Sequence, residues 1–148
     1  MDDKIQKIKR FNRFYLNVVG LYSQYTDGSP YSMSEAMILF EINQTDKCTA
    51  SELSDFFGFD KGYVSRIINK LSEQDLIRRV SSEYDKRKKF LHITKQGEKV
   101  LRELSNKASE NVRRMIEKVD NEEVVSLIKS MEEIERILSP TKRGKGNV

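Results

Sequence analysis

The side chains with the most chemistry to offer lie in two short runs. Residues 61–70 read Lys-Gly-Tyr-Val-Ser-Arg-Ile-Ile-Asn-Lys, and Lys86-Arg87-Lys88-Lys89 places basic groups side by side. The chemistry on offer is non-covalent. Ammonium and guanidinium groups pair with phosphate, and amide and guanidinium groups match the edges of bases. Between Lys61 and Lys89 there are nine Lys/Arg against four Asp/Glu, while all 148 residues together carry a formal net charge of only +4. The positive excess is therefore confined to this stretch, which is the footprint of a polyanion-binding face.

Covalent catalysis has little to work with. The sequence holds one histidine, His92, and one cysteine, Cys48. That excludes a multi-histidine metal site, a cysteine zinc site and an intrachain disulfide. Glycine-rich phosphate loops and a Gly-x-Ser-x-Gly elbow are absent. No catalytic residue, metal or cofactor is expected, and the chain reads as a non-enzyme. Lack of disulfide chemistry fits a reducing cytoplasm. The start, Met1-Asp2-Asp3-Lys4, is not a signal peptide. No stretch approaches the ~20 apolar residues of a membrane span.

Helices must position the basic groups, because the chain has only 7 glycines and 2 prolines, Pro30 and Pro140. Residues 4–25 set Ile5, Ile8, Phe11, Tyr15, Val18, Val19, Tyr22 and Tyr25 at helical spacing, and Asp27-Gly28-Ser29-Pro30 breaks that helix. Ser32 with Glu35, Thr49 with Glu52, and Asp120 with Glu123 have capping-box spacing and open helices near 33–44, 50–57 and 121–138. Asp60 caps a helix to about Glu73, and Thr94 caps a long one over 95–118. Between them the period changes, and 76–80 and 90–94 read as strands flanking a polar tip, Ser81 to Lys89.

Residues 49–75 have helix-turn-helix form. Leu53, Phe56 and Phe57 are expected to face inward, Gly58 to end the first helix in a left-handed conformation, and Phe59 to plug the turn. In the second helix Val64, Ile67, Ile68 and Leu71 bury. Lys61, Gly62, Tyr63, Ser65, Arg66, Asn69 and Lys70 are left on the outer side. A recognition helix needs this arrangement to enter a major groove. The basic hairpin beside it makes a wing, placed to reach a minor groove whose narrow walls favour arginine. The competing reading is a solvated amphipathic helix beside a solvated turn.

In order and spacing these residues resemble the multiple-antibiotic-resistance regulator (MarR) family of winged helix-turn-helix transcription factors. The resemblance covers nearly the whole chain and is strongest from Thr49 to Gly97. It rests on Ala50-Ser51-Glu52-Leu53, the helix 60–73 and Leu76-Ile77-Arg78-Arg79. It rests further on Asp85-Lys86-Arg87, at the family's Asp-x-Arg wing signature, and on Ile93-Thr94-Lys95-Gln96-Gly97, at its Leu-Thr-x-x-Gly helix start.

The fold implied is mainly α, a winged helix-turn-helix with long N- and C-terminal helices forming a dimerisation platform. Residues 1–139 would form a single domain, with dimerisation helices 4–25, 95–118 and 121–138, a DNA-binding lobe 32–94, and a flexible basic tail 140–148. Ser65, Arg66, Asn69 and Lys70 become the base-edge and phosphate candidates, with Lys61 and Tyr63 at the entrance of the helix. Arg87 is the minor-groove candidate; Lys86, Lys88 and Lys89 would follow phosphates, and Thr49 and Ser51 would donate to them. Asp85 would orient the wing, and Asp60 is a candidate partner for a wing arginine.

The implied partners are a near-palindromic double-stranded operator, a second copy of the chain, and a small aromatic or anionic effector. The implied role is a cytoplasmic repressor relieved by that effector. Ile5, Ile8, Phe11, Ile128, Met131, Ile134 and Leu138 are the dimerisation candidates. Independently of family, the terminal helices carry more apolar surface than one small winged core can cover.

Two other functions compete. One is a winged-helix adaptor for proteins. The other is the regulatory half of an acetyltransferase system, because Asp60-Lys61-Gly62-Tyr63-Val64-Ser65-Arg66 also resembles a subgroup in which such a domain precedes an acetyltransferase. The concentrated positive charge favours DNA over both. Some relatives sense oxidants through a cysteine near the start of the first helix; Cys48 lies elsewhere and reads as a structural thiol. His92 reads as a surface residue, and Phe11, Phe14, Tyr15, Tyr22 and Tyr25 mainly as core and dimer contacts.

Overall fold

The computed structural model describes residues 2–22 and 29–139. Its elements run α1 (Asp2–Tyr22), α2 (Met33–Gln44), α3 (Ala50–Phe57), α4 (Lys61–Glu73), β1 (Ile77–Ser81), β2 (Lys89–Ile93), α5 (Lys95–Ile116) and α6 (Asn121–Leu138). The mainly α expectation with one hairpin is met. The end of the first helix near Tyr25, its Asp27-Gly28 breaker and the basic tail 140–148 lie outside the described residues. The chain divides into two compact units, Met1–Asn111 and Val112–Val148, and the division falls within α5.

In the first unit one core joins α2, α3, α4, the hairpin and the start of α5. Ile38, Leu39, Cys48, Leu53, Val64, Leu71, Leu76 and Ile77 are its most deeply buried hydrophobic members, and Leu91, Val100 and Leu104 are among the others. Each such aliphatic side chain contributes about 1.5–3 kcal/mol on leaving water. The sequence encodes the ends of these helices with local chemistry. Ser32 caps α2 by accepting the Glu35 N–H at 3.2 Å, and Glu35 Oε1 accepts the Ser32 N–H at 3.0 Å, a complete capping box. Thr49 accepts the Glu52 N–H at 3.2 Å without the return bond. Asp120 makes no side-chain cap bond at all, so the third expected box is not formed.

The strands pair antiparallel, with Ile77 opposite Ile93, Arg79 opposite Leu91 and Ser81 opposite Lys89. Relative to the expected 76–80 and 90–94, β1 begins one residue later and β2 ends one residue earlier. The reason is local. The Leu76 N–H closes the end of α4 on the Leu71 carbonyl at 2.9 Å, and the Thr94 hydroxyl accepts the Gly97 N–H at 3.0 Å to start α5. Gly97 is required there for space: a Cβ would lie 2.1 Å from the Leu76 carbonyl oxygen. The Thr-x-x-Gly motif is thus a device for docking the start of α5 onto the entry to β1.

The second unit holds the end of α5 and all of α6. The Val119 N–H donates to the Ile116 carbonyl, so α5 ends at Ile116 rather than at 118. No residue of α6 is buried, and Ile128, Ile134, Ile137 and Leu138 remain exposed. In the first unit α1 is similarly open: Ile5, Ile8, Phe11 and Phe14 are exposed, and among the described residues Phe11 stacks on its own helix neighbour Tyr15, with ring centroids 5.8 Å apart.

Candidate nucleic-acid interface

The helix-turn-helix is fixed by its turn. Gly58 has φ +70°, the left-handed conformation expected of it, and its N–H and that of Phe59 both donate to the Ser54 carbonyl. The Ser54 hydroxyl returns a 2.6 Å bond to the Phe59 carbonyl. Phe59 stacks on Phe57 at 5.2 Å and meets Tyr63 edge-on at 5.4 Å, so it plugs the turn as expected. Phe56 does not face inward. The buried arc of α3 passes through Leu53, Ser54 and Phe57, which leaves Phe56 rotated out and 56% exposed.

From this anchor α4 runs with Val64, Ile67, Ile68 and Leu71 buried, as the spacing requires. Asp60 caps it, accepting the Tyr63 N–H at 3.3 Å. Among the described residues Asp60 makes no ion pair with a wing arginine, and that expectation is withdrawn. The wing's own carboxylate does the orienting instead. Asp85 Oδ1 accepts the Arg87 N–H at 3.0 Å and lies 3.6 Å from Arg87 Nε, while the Ser82 N–H donates to the Lys88 carbonyl. These bonds tighten the tip and leave the Arg87 side chain 95% exposed.

The two basic runs converge. A groove of about 550 Å³ is lined by Thr49 and Ser51 at the start of α3, Ser65 and Asn69 of α4, and Arg79, Arg87, Lys88 and Lys89 of the hairpin. Its lining residues include four bases and no acid. Such a concavity concentrates positive potential. Lys89 is steadied by its 3.1 Å bond to Ser81 Oγ, and the Lys88 ammonium sits 5.7 Å from the centre of the Phe90 ring. Lys61, Arg66 and Lys86 are exposed but do not line the groove. Thr49 is largely buried, its hydroxyl engaged as a cap.

Two expected readers are held by the protein itself. Tyr63 is half-buried against Phe59. Lys70 lies 2.7 Å from Glu35 Oε2 and 2.8 Å from Oε1, and also reaches the Pro30 carbonyl. Burial pushes the Glu35 carboxyl up, but Lys70 and the Ser32 amide and hydroxyl outweigh it, holding its pKa below the ordinary value. This pair ties the recognition helix to α2.

The sequence reading missed two residues of this site. Glu35 was assigned only a cap; the sequence carries no signal of its second partner, 35 positions away. Arg79 was assigned only to a strand, yet it sits two residues after the buried Ile77 and so shares its face of the hairpin. Its Nη2 donates to Asn69 Oδ1. Strand alternation would have placed it toward α4. Cys48 is buried, and burial together with the charges of Glu52 and Glu41 pushes its thiol up to about 11, so it stays protonated at neutral pH. His92 is exposed, as expected.

A helix-turn-helix whose second helix shares an acid-free basic groove with a two-stranded wing is a winged helix-turn-helix module. Residues 30–88 match the family model described as MarR family. The chain is 33% identical over 104 residues to the HTH-type transcriptional regulator MgrA of Staphylococcus aureus, spanning 70% of this chain and 66% of that relative. It superposes on FabT of Streptococcus pneumoniae, solved in complex with DNA, with a TM-score of 0.76 and 25% identity over 93% of this chain and 99% of FabT. A MarR family protein from Bacillus stearothermophilus shares the fold, with a TM-score of 0.79 at 14% identity over 94% of this chain and 98% of that one. The chain belongs to the MarR family of winged-helix transcriptional regulators.

Proposed function

We propose that this chain binds double-stranded DNA as a homodimer and represses transcription from a near-palindromic operator. One observation carries the proposal: the outer side of α4 and the wing share a single basic groove, with Ser65 and Asn69 facing Arg79, Arg87, Lys88 and Lys89. In this reading α4 enters the major groove, where Ser65, Arg66 and Asn69 meet base edges. Arg87 reaches the neighbouring minor groove. Lys61, Lys86, Lys88, Lys89, Thr49 and Ser51 follow phosphates. Lys70, engaged with Glu35, serves mainly to hold the helix in place.

The apolar faces of α1 and α6 support the homodimer. Ile5, Ile8 and Phe11 on one and Ile128, Ile134 and Leu138 on the other are left open by a single chain, and Met131 is half-buried. A two-fold axis covers such faces with copies of themselves and sets two recognition helices about 34 Å apart. Residues 1–139 then act as one functional domain, in the cytoplasm. A small aromatic or anionic effector relieves repression by favouring a spacing of the two lobes that DNA does not accept. It shifts the equilibrium only by its differential affinity for the two states. Selection from a random duplex library tests the proposal. The expected result is an inverted repeat with half-site centres about one helical turn apart. Enrichment of no sequence overturns it.

A further inference from the structure

The two open helices carry opposite charge. α1 has five Lys/Arg against two Asp, a net +3, and α6 has five Glu against Lys129 and Arg136, a net −3. Both bear largely exposed apolar stripes, from Ile5 to Val19 and from Val124 to Leu138, and each stripe runs about 21 Å.

The charges sit in particular places on these helices. Residues three, four or seven apart share a helix face. Lys4 therefore stands in line with Ile8 and Phe11, and Lys9 with Ile5 and Leu16. On α6 Glu132 stands one turn from Ile128, and Glu135 one turn from Met131 and from Leu138. The cations of α6 keep away from that stripe, since Lys129 and Arg136 fall with Val125 on the opposite face. Asp3 pairs with Lys7, and Glu133 with Arg136. Among the described residues Lys4, Lys9, Glu132 and Glu135 are exposed and have no ion-pair partner.

These borders discriminate between the ways of covering the stripes. A second α1 laid on α1 sets cation beside cation, and a second α6 on α6 sets acid beside acid, so both repel. α1 laid on α6 satisfies both borders. With the helices antiparallel, Lys4 and Lys9 near the start of α1 come level with Glu132 and Glu135 near the end of α6. We propose that α1 of one copy packs on α6 of the second copy, cationic border to acidic border, so that charge as well as apolar area selects another copy of this chain as partner. The inference rests on the homodimer reading above and adds which helix faces which.

Two variants of the full-length protein test it, Lys4→Glu with Lys9→Glu, and Glu132→Lys with Glu135→Lys, each checked for folding by circular dichroism. All four positions are exposed, and Lys and Glu have similar helix propensities, so the fold is expected to survive. Sedimentation equilibrium at about 50 mM salt, where screening is weak, measures self-association. Each variant alone is expected to dimerise at least about tenfold more weakly, because the borders of its α1 and α6 then carry the same sign. An equimolar mixture is expected to regain the unaltered affinity as mixed dimers, and so is a single chain with all four replacements. If a reversal fails to fold, Lys4→Gln with Lys9→Gln removes the attraction without adding repulsion and should weaken the dimer about threefold.

Self-association unchanged in the variants would overturn the pairing while leaving the dimer in place. A weakened variant that its mixture does not rescue would do the same, by confining the effect of the charges to one chain. A protein that is a monomer at every concentration overturns the homodimer reading and this inference together.

Discussion

The lobe from α2 to β2 and the terminal helices α1 and α6 obey different rules. In the lobe nearly every apolar position that the periodicity marks is buried: Ile38, Leu39, Leu53, Val64, Ile68, Leu71 and Leu91 are all at most 3% exposed. On α6 the same periodicity produces no buried residue, and on α1 Ile8 remains 61% exposed. One chain is enough to account for the composition of the lobe. It does not account for the composition of the terminal helices, whose apolar stripes make physical sense only against another surface. The polar residues differ in parallel. In the lobe Glu35 with Lys70 and Ser54 with the Phe59 carbonyl tie separate segments together, whereas the ion pairs of α1 and α6, Asp3 with Lys7 and Glu133 with Arg136, lie along exposed helix faces and contribute little.

The strongest way to break this contrast is to damage each region and ask who notices. Leu39→Ala is expected to cost the lobe about 2–5 kcal/mol, because a fully buried side chain leaves a cavity. Gly97→Ala should cost upward of about 3 kcal/mol, since the added methyl meets backbone at 2.1 Å. Urea unfolding checks both, and a loss under about 1 kcal/mol in either would show that the lobe is less tightly determined than its burial implies.

Lys70→Met comes next, at about 2 kcal/mol near neutral pH. Removing the cation leaves the Glu35 carboxylate buried and unpaired, though the 43% exposure of the Lys70 side chain lets water moderate the cost. The sign of the pH effect follows from the direction of the shift. In the unaltered protein Glu35 is held below its ordinary value, so the pair adds stability above the ordinary glutamate range and loses it as pH falls through the lowered pKa. In Lys70→Met the hydrogen bond and the charge of Lys70 are gone, and the carboxyl titrates higher than in the unaltered protein. The gap between the two proteins should therefore narrow on acidification. A gap that widens toward acid pH contradicts the assignment.

The smallest expected change in lobe stability comes from the terminal helices. Ile8→Ser and Ile134→Ser should each move the unfolding of the lobe by less than about 0.5 kcal/mol, yet lower the molecular mass in light scattering at micromolar concentration. An unaltered mass in the double variant would remove the dimer.

Much of this was legible in the residues, where local chemistry decides the outcome. The helix-turn-helix showed in the 3.6-residue spacing of α4, in Gly58 with its left-handed backbone, and in the caps Ser32, Thr49 and Asp60. The wing showed in the change of period and in Asp85. What the sequence hid was contact between distant positions. Glu35 and Lys70, or Asn69 and Arg79, meet only because the core brings α2, α4 and β1 together. Phe56 was misplaced because an eight-residue helix is too short for its apolar spacing to separate the buried arc from the residue beside it. Asp120 keeps the spacing of a cap without forming its bond.

The central claim is that α4 and the wing grip one duplex together, and the salt dependence of binding tests it most directly. For a selected operator, log K against log salt should fall with a slope of about −5 to −9, as expected for roughly 6–10 neutralised phosphates. Arg87→Ala should weaken binding and make that slope shallower by about 1. A slope near zero, or an Arg87→Ala protein with unchanged affinity and slope, would contradict a DNA-gripping wing.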